Sequence, residues 1–102
     1  MAVIVEKNGP VTTIINSRPE VRNAVNPEQA LALLEAFEAF DADPEACVAV
    51  LCGAGGTFCA GADLHRVADS WEQWNLSDEG KQGPLGPTRL LLSKPVIAAV
   101  DG

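Results

Sequence analysis

The chain is short of bases, of long apolar runs and of paired cysteines, and each shortage removes a class of function. Its 102 residues hold seven lysines and arginines against fourteen acids, a formal net charge of −7. The stretch from Glu28 to Glu45 carries six acids and no base. Such a surface repels polyanions, so neither nucleic acid nor an anionic membrane is an expected partner. No stretch approaches the ~20 consecutive apolar residues that span a bilayer. The start, Met1-Ala2-Val3-Ile4-Val5-Glu6-Lys7, has no basic leader and too short an apolar run for a secretory signal. A cytoplasmic location is therefore expected.

Cys47, Cys52 and Cys59 make an odd number, and no two of them form a CxxC pair. Neither a disulfide framework nor a zinc site is indicated, and reduced, buried thiols are expected. The single histidine, His65, has only Asp63 at a co-ligand spacing, which favours a solvated helix position over a metal ligand. A nucleophilic Cys59 would have to use that same His65 as its base, a weak arrangement. Gly53-Ala54-Gly55-Gly56 follows an apolar strand as a phosphate loop would. It lacks the GxGxxG spacing and no GK[ST] follows, so a nucleotide-binding domain is the weaker alternative.

What remains is a core-forming chain, 47% hydrophobic, of a size for one small domain or part of one. Ala2 to Val5 and Val11 to Asn16 read as strands joined by Glu6-Lys7-Asn8-Gly9-Pro10, whose Asn-Gly pair signals a hairpin. Arg18 to Val25 is too polar and interrupted for a strand. Asn26-Pro27 opens a helix, with Asn26 as N-cap, Pro27 at the first position and Gln29 completing a capping-box-like arrangement. Ala30, Leu33, Leu34, Phe37 and Phe40 then recur as one apolar stripe, with Glu28, Glu35, Glu38 and Asp41 on a solvated face. Asp43-Pro44 ends that helix. Ala46 to Cys52 is a continuous apolar run, as in a parallel strand covered on both faces, and Val96 to Val100 reads as another buried strand.

Between them, residues 69–90 form a long surface excursion of mixed polar, Gly and Pro composition. Trp71 and Trp74 lie in it, where they either line a cleft or staple the excursion to the core; packing is the commoner use of large aromatics.

Thr57-Phe58-Cys59-Ala60-Gly61-Ala62-Asp63-Leu64 carries the chemistry. It reads as a strand end, a turn of very small residues and a helix starting at Asp63, whose side chain caps the first turn. Backbone N–H groups at such a junction lack intrahelical partners and have the positive end of the helix dipole behind them. Small side chains at Ala60, Gly61 and Ala62 leave the main chain approachable, so the N–H of Ala62 is a candidate donor to a developing oxyanion. A plain βα turn also wants small residues and a cap, so both readings stand on this octapeptide alone.

Taken in order, Val11 to Arg18 before Pro19, Arg22-Asn23-Ala24-Val25-Asn26, the strand ending in Gly53-Ala54-Gly55-Gly56, Phe58 to Leu64, and Lys94-Pro95-Val96-Ile97-Ala98-Ala99-Val100-Asp101-Gly102 resemble the enoyl-CoA hydratase/isomerase, or crotonase, family. The resemblance implies an α/β fold, the N-terminal portion of a crotonase-like (ββα)n spiral. It also implies an acyl-CoA substrate and no separate cofactor, CoA being part of the substrate. The Ala62 N–H would be one of two donors to the thioester carbonyl. Arg22, Ala24, Ala60, Gly61, Asp63 and Leu64 become candidate CoA contacts, largely through backbone groups; Arg22 either faces a CoA phosphate or is an ordinary surface arginine.

Hydration of a 2-enoyl-CoA is the implied reaction. Another reaction of the family, such as isomerisation or thioester hydrolysis, or a non-catalytic binding or oligomerisation module, is the alternative. Homotrimers or pairs of trimers are the implied assembly. By the same resemblance the second donor and the acid–base glutamates follow the position of Gly102, so residues 1–102 are expected to be the N-terminal part of a single domain, inactive alone.

Overall fold

The computed structural model describes residues 3–64 and 85–102. The expectations for His65, Trp71 and Trp74, and most of the 69–90 excursion, lie outside them. Two strands open the chain, β1 (Val3–Asn8) and β2 (Val11–Asn16), antiparallel with Val3 opposite Asn16 and Asn8 opposite Val11. The connection is the pair Gly9-Pro10, tighter than the five-residue link expected. Asn8 belongs to the strand, and Gly9 at φ +60 takes the first turn position, where a positive φ matches the twist of the hairpin.

Helix α1 (Pro27–Ala42) follows, with the Asn26 side chain accepting a hydrogen bond from the Gln29 N–H at 2.8 Å. The other half of the expected capping box is missing: the Gln29 side chain is buried and its amide donates to Asn16 Oδ1. In the full-length protein, Asn26→Ala is expected to cost about 1 kcal/mol, read as a lowered urea midpoint at unchanged slope.

The α1 stripe is buried as its spacing requires, and Leu33, Phe37 and Phe40 form a core with Ile14 of β2 and Ala49 of β3 (Val48–Gly53). Alternation along β2 turns Thr12, Ile14 and Asn16 inward. Strand β3 pairs parallel with β2, and β4 (Val96–Ala98) parallel with β3, giving the order β1-β2-β3-β4. The junction into β3 is fixed by Pro10, whose carbonyl accepts from the N–H of both Cys47 and Val48.

The C-terminal end of α1 anchors the entry to β4. The Asp41 carboxylate accepts from the N–H and Oγ of Ser93, and Lys94 Nζ donates to the carbonyls of Phe40 and Asp43 while lying 5.2 Å from the Phe40 ring centre. Asp41 is thus engaged and not merely solvated. The Glu45 N–H, and then Lys7 beside it, hold the Asp43 carboxyl below the usual range.

Strand β4 has the composition of a covered strand, but among the described residues it is an edge, leaving Ile97 57% and Val100 70% exposed. One expectation needs correction: the thiols are not all buried, since Cys47 is exposed and Cys52 and Cys59 are half-buried. All three are free. Among the described residues no helix is long and apolar enough to cross a membrane.

Candidate functional site

Three chain segments meet at the end of β3. The first is Arg18–Val25, which begins as a 3-10 turn at Pro19–Val21 and passes through left-handed backbone at Arg22 (φ 54) and Asn23 (φ 59). The second is the glycine turn Ala54–Gly56. The third is the small-residue turn Ala60–Asp63, which docks on the first: Ala60 N donates to Arg22 O (3.1 Å), Val25 N to Gly61 O (2.8 Å) and Asp63 N to Val25 O (2.8 Å). The last two bonds make an isolated parallel bridge between Val25 and Ala62.

That bridge fixes the direction of one amide. In a parallel pair the central residue's neighbours, here Gly61 and Asp63, spend their C=O and N–H on the opposite strand. The pleat sends the intervening N–H the other way. The Ala62 N–H therefore points away from Val25, and no described residue accepts it. Gly61 has φ +100, yet a Cβ built there would meet nothing within 4 Å. Backbone conformation, and not lack of room, demands glycine at that position.

Polar side chains buried beneath the turn hold it in place. Asn23, fully buried, accepts the Arg18 N–H at 2.6 Å and donates to the carbonyls of Ala54 (2.8 Å) and Thr57 (2.6 Å). Asn16 donates to the Asn23 carbonyl at 2.9 Å. The Arg18 guanidinium donates to Ala24 O at 2.7 Å and pairs with Asp63 Oδ2 at 3.2 Å, the two side chains being 16% and 8% exposed. Removing one partner of so buried a pair typically costs about 3–5 kcal/mol.

The candidates named from sequence are brought together, with different exposures. Arg22 and Ala60 are exposed and Leu64 is 82% exposed, whereas Ala24 and Asp63 are buried, with the Asp63 carboxylate turned inward to Arg18. Leu64 is helical, and the residues that follow it lie outside the described ones. Beside the turn is an apolar cleft of about 210 Å³ lined by Val25, Leu33, Leu51, Phe58, Cys59 and Leu85, among others. The glycine turn is tied down from beneath, the carbonyls of Ala54 and Thr57 at its ends accepting from Asn23.

A family model described as enoyl-CoA hydratase/isomerase matches residues 6–102. The chain belongs to the enoyl-CoA hydratase/isomerase family. It is 37% identical over 106 residues to the enoyl-CoA hydratase EchA19 of Mycobacterium tuberculosis, covering 97% of this chain and 38% of that protein. It is 42% identical over 98 residues to a carnitinyl-CoA dehydratase of Salmonella arizonae, covering 94% and 36%. A solved carnitinyl-CoA hydratase from Mycobacterium avium superposes with a TM-score of 0.86 at 39% identity, over 99% of this chain and 39% of that one. A probable enoyl-CoA hydratase/isomerase from Mycobacterium abscessus gives 0.85 at 36% identity, over 99% and 38%. The chain thus spans less than two fifths of the length of these relatives, and its α/β fold is crotonase-like over that portion.

Within an enoyl-CoA hydratase/isomerase chain, Arg18, Asn16 and Asn23 are the residues that sequence reasoning left out. Their signal was faint: polar side chains in a segment that reads as loop, with partners up to 45 positions away.

Proposed function

We propose that the protein binds an acyl-CoA thioester with its carbonyl oxygen on the Ala62 N–H, and that it hydrates a 2-enoyl-CoA. The observation that carries this reading is the Ala62 amide, turned away from Val25 by the bridge and without an acceptor among the described residues. A preset donor costs no reorganisation when charge develops on the carbonyl oxygen. In the addition, water gives up a proton to a base as its oxygen bonds to the carbon β to the carbonyl, the π electrons move to the thioester oxygen as an enolate, and the enolate collapses as an acid delivers a proton to the α carbon. Relatives named hydratase and dehydratase describe this addition and its reverse.

Arg22, Ala24, Ala60, Gly61, Asp63 and Leu64 supply the CoA contacts in this proposal. The buried members act through backbone and the exposed Arg22 faces a phosphate. The apolar cleft at Phe58 and Cys59 suits an acyl chain. On the family resemblance, residues 1–102 are the N-terminal part of one domain and inactive alone, the second donor and the acid–base groups coming from outside them. The same resemblance supports an enzyme of lipid metabolism working as homotrimers or pairs of trimers without a separate cofactor, and the expected location is the cytoplasm.

Calorimetric titration of the full-length protein tests the binding claim. A 2-enoyl-CoA and free CoA are expected to bind and ATP to bind much more weakly, with loss of the conjugated enoyl-thioester absorbance on turnover. ATP binding as tightly as the thioester would return the glycine turn to consideration as a nucleotide site.

A further inference from the structure

We propose that Arg18 is a positioning residue for the Ala62 amide, acting through Asp63 and Ala24. The inference rests on the oxyanion reading of that amide. The Val25–Ala62 pairing is an isolated bridge with two ladder hydrogen bonds, too short to hold its own twist. Arg18 braces it diagonally. One nitrogen of the guanidinium holds the carbonyl of Ala24, the residue before Val25; the other holds the carboxylate of Asp63, the residue after Ala62.

The brace has a fixed base. The Arg18 N–H is bound by Asn23 Oδ1, and the Arg18 carbonyl accepts from the N–H of Val21 (3.0 Å) and Asn23 (2.9 Å). A planar fork with two donors at set separation spans both partners at once, which the single ammonium of lysine cannot do. Loss of the fork leaves the turn held to the Arg18 segment by its three backbone bonds, at Arg22 and Val25, with no brace on the Asp63 side chain, and the N–H direction drifts. Misplacement by about 1 Å can cost on the order of 10²-fold in rate.

The test uses the full-length enzyme with Arg18→Lys, Arg18→Gln and Asp63→Asn. The readouts are kcat, the Kd of free CoA, and the vibrational frequency of the thioester carbonyl in a bound acyl-CoA, which falls as donors polarise it. Wild type is expected to show the lowered frequency. Arg18→Lys is expected to keep most of the thermal stability and CoA affinity that its charge supports, yet to lose about 10²-fold in kcat together with much of the carbonyl shift. A folded Arg18→Lys or Asp63→Asn enzyme with wild-type kcat and carbonyl frequency overturns the positioning role alone. Absence of any shift in wild type overturns the oxyanion reading and this proposal with it. If Arg18→Gln does not fold, the lysine and asparagine variants carry the comparison.

Discussion

Ala62→Pro in the full-length protein is expected to lower kcat at least about 10²–10³-fold, the loss typical of one oxyanion donor, while the circular dichroism spectrum stays that of wild type. The asymmetry of the Val25 bridge is why this substitution is informative. The two ladder bonds at that point use the Gly61 carbonyl and the Asp63 N–H, so a proline at position 62 removes neither of them. Proline is tolerated at strand positions whose N–H lies outside the ladder. What it deletes is the one outward donor, and it puts a ring carbon where a thioester oxygen would sit. Ala62→Gly keeps the N–H and is expected to retain measurable turnover. A proline variant that folds and turns over at the wild-type rate would show that the amide is not a donor to the reacting carbonyl.

Much of the frame around that amide was legible because its signals are local. Asn26-Pro27 marks the start of α1 through a side-chain bond only three residues long, and the Leu33–Phe37–Phe40 stripe follows from the helical period alone. The apolar run before Gly53 announced a parallel strand. Where the reading slipped, the deciding contact was distant or on the far side of an element. The hairpin turn tightened because Asn8 pairs with Val11, and Asp41, on the face read as solvated, is engaged by Ser93 far along the chain.

The site divides along the same line. Small residues at Ala60, Gly61 and Ala62 were visible as a turn that leaves the main chain approachable. The direction of the Ala62 N–H was not, because it is set by pairing with Val25 in a segment that composition alone marks as loop. Nor could spacing show that Asp63 spends its carboxylate on Arg18, 45 positions earlier. A polar residue in a loop reads as solvated until its partners are known, and here the partners lie on three separate segments.

Asn23 is the extreme case, and its removal carries the largest expected cost in stability. Its side chain is fully buried and makes three hydrogen bonds, to the Arg18 N–H and to the carbonyls of Ala54 and Thr57. Asn23→Ala leaves those three half-buried backbone groups without their partner, each costing about 1–3 kcal/mol where water does not reach it. The position also has φ 59, left-handed backbone that asparagine tolerates and alanine does not, a further penalty of roughly 1–2 kcal/mol. Solvent entry and local relaxation recover part of the sum, so a net loss of about 4 kcal/mol is expected, against whole-domain stabilities of about 5–15 kcal/mol. Asn23→Gly removes the same bonds while permitting the backbone angle, and is expected to be less destabilising than Asn23→Ala. Urea unfolding of the full-length variants checks both the size and the order. An alanine variant within about 0.5 kcal/mol of wild type, the range of ordinary surface changes, would mean that Asn23 does not hold the glycine turn to the Arg18 segment.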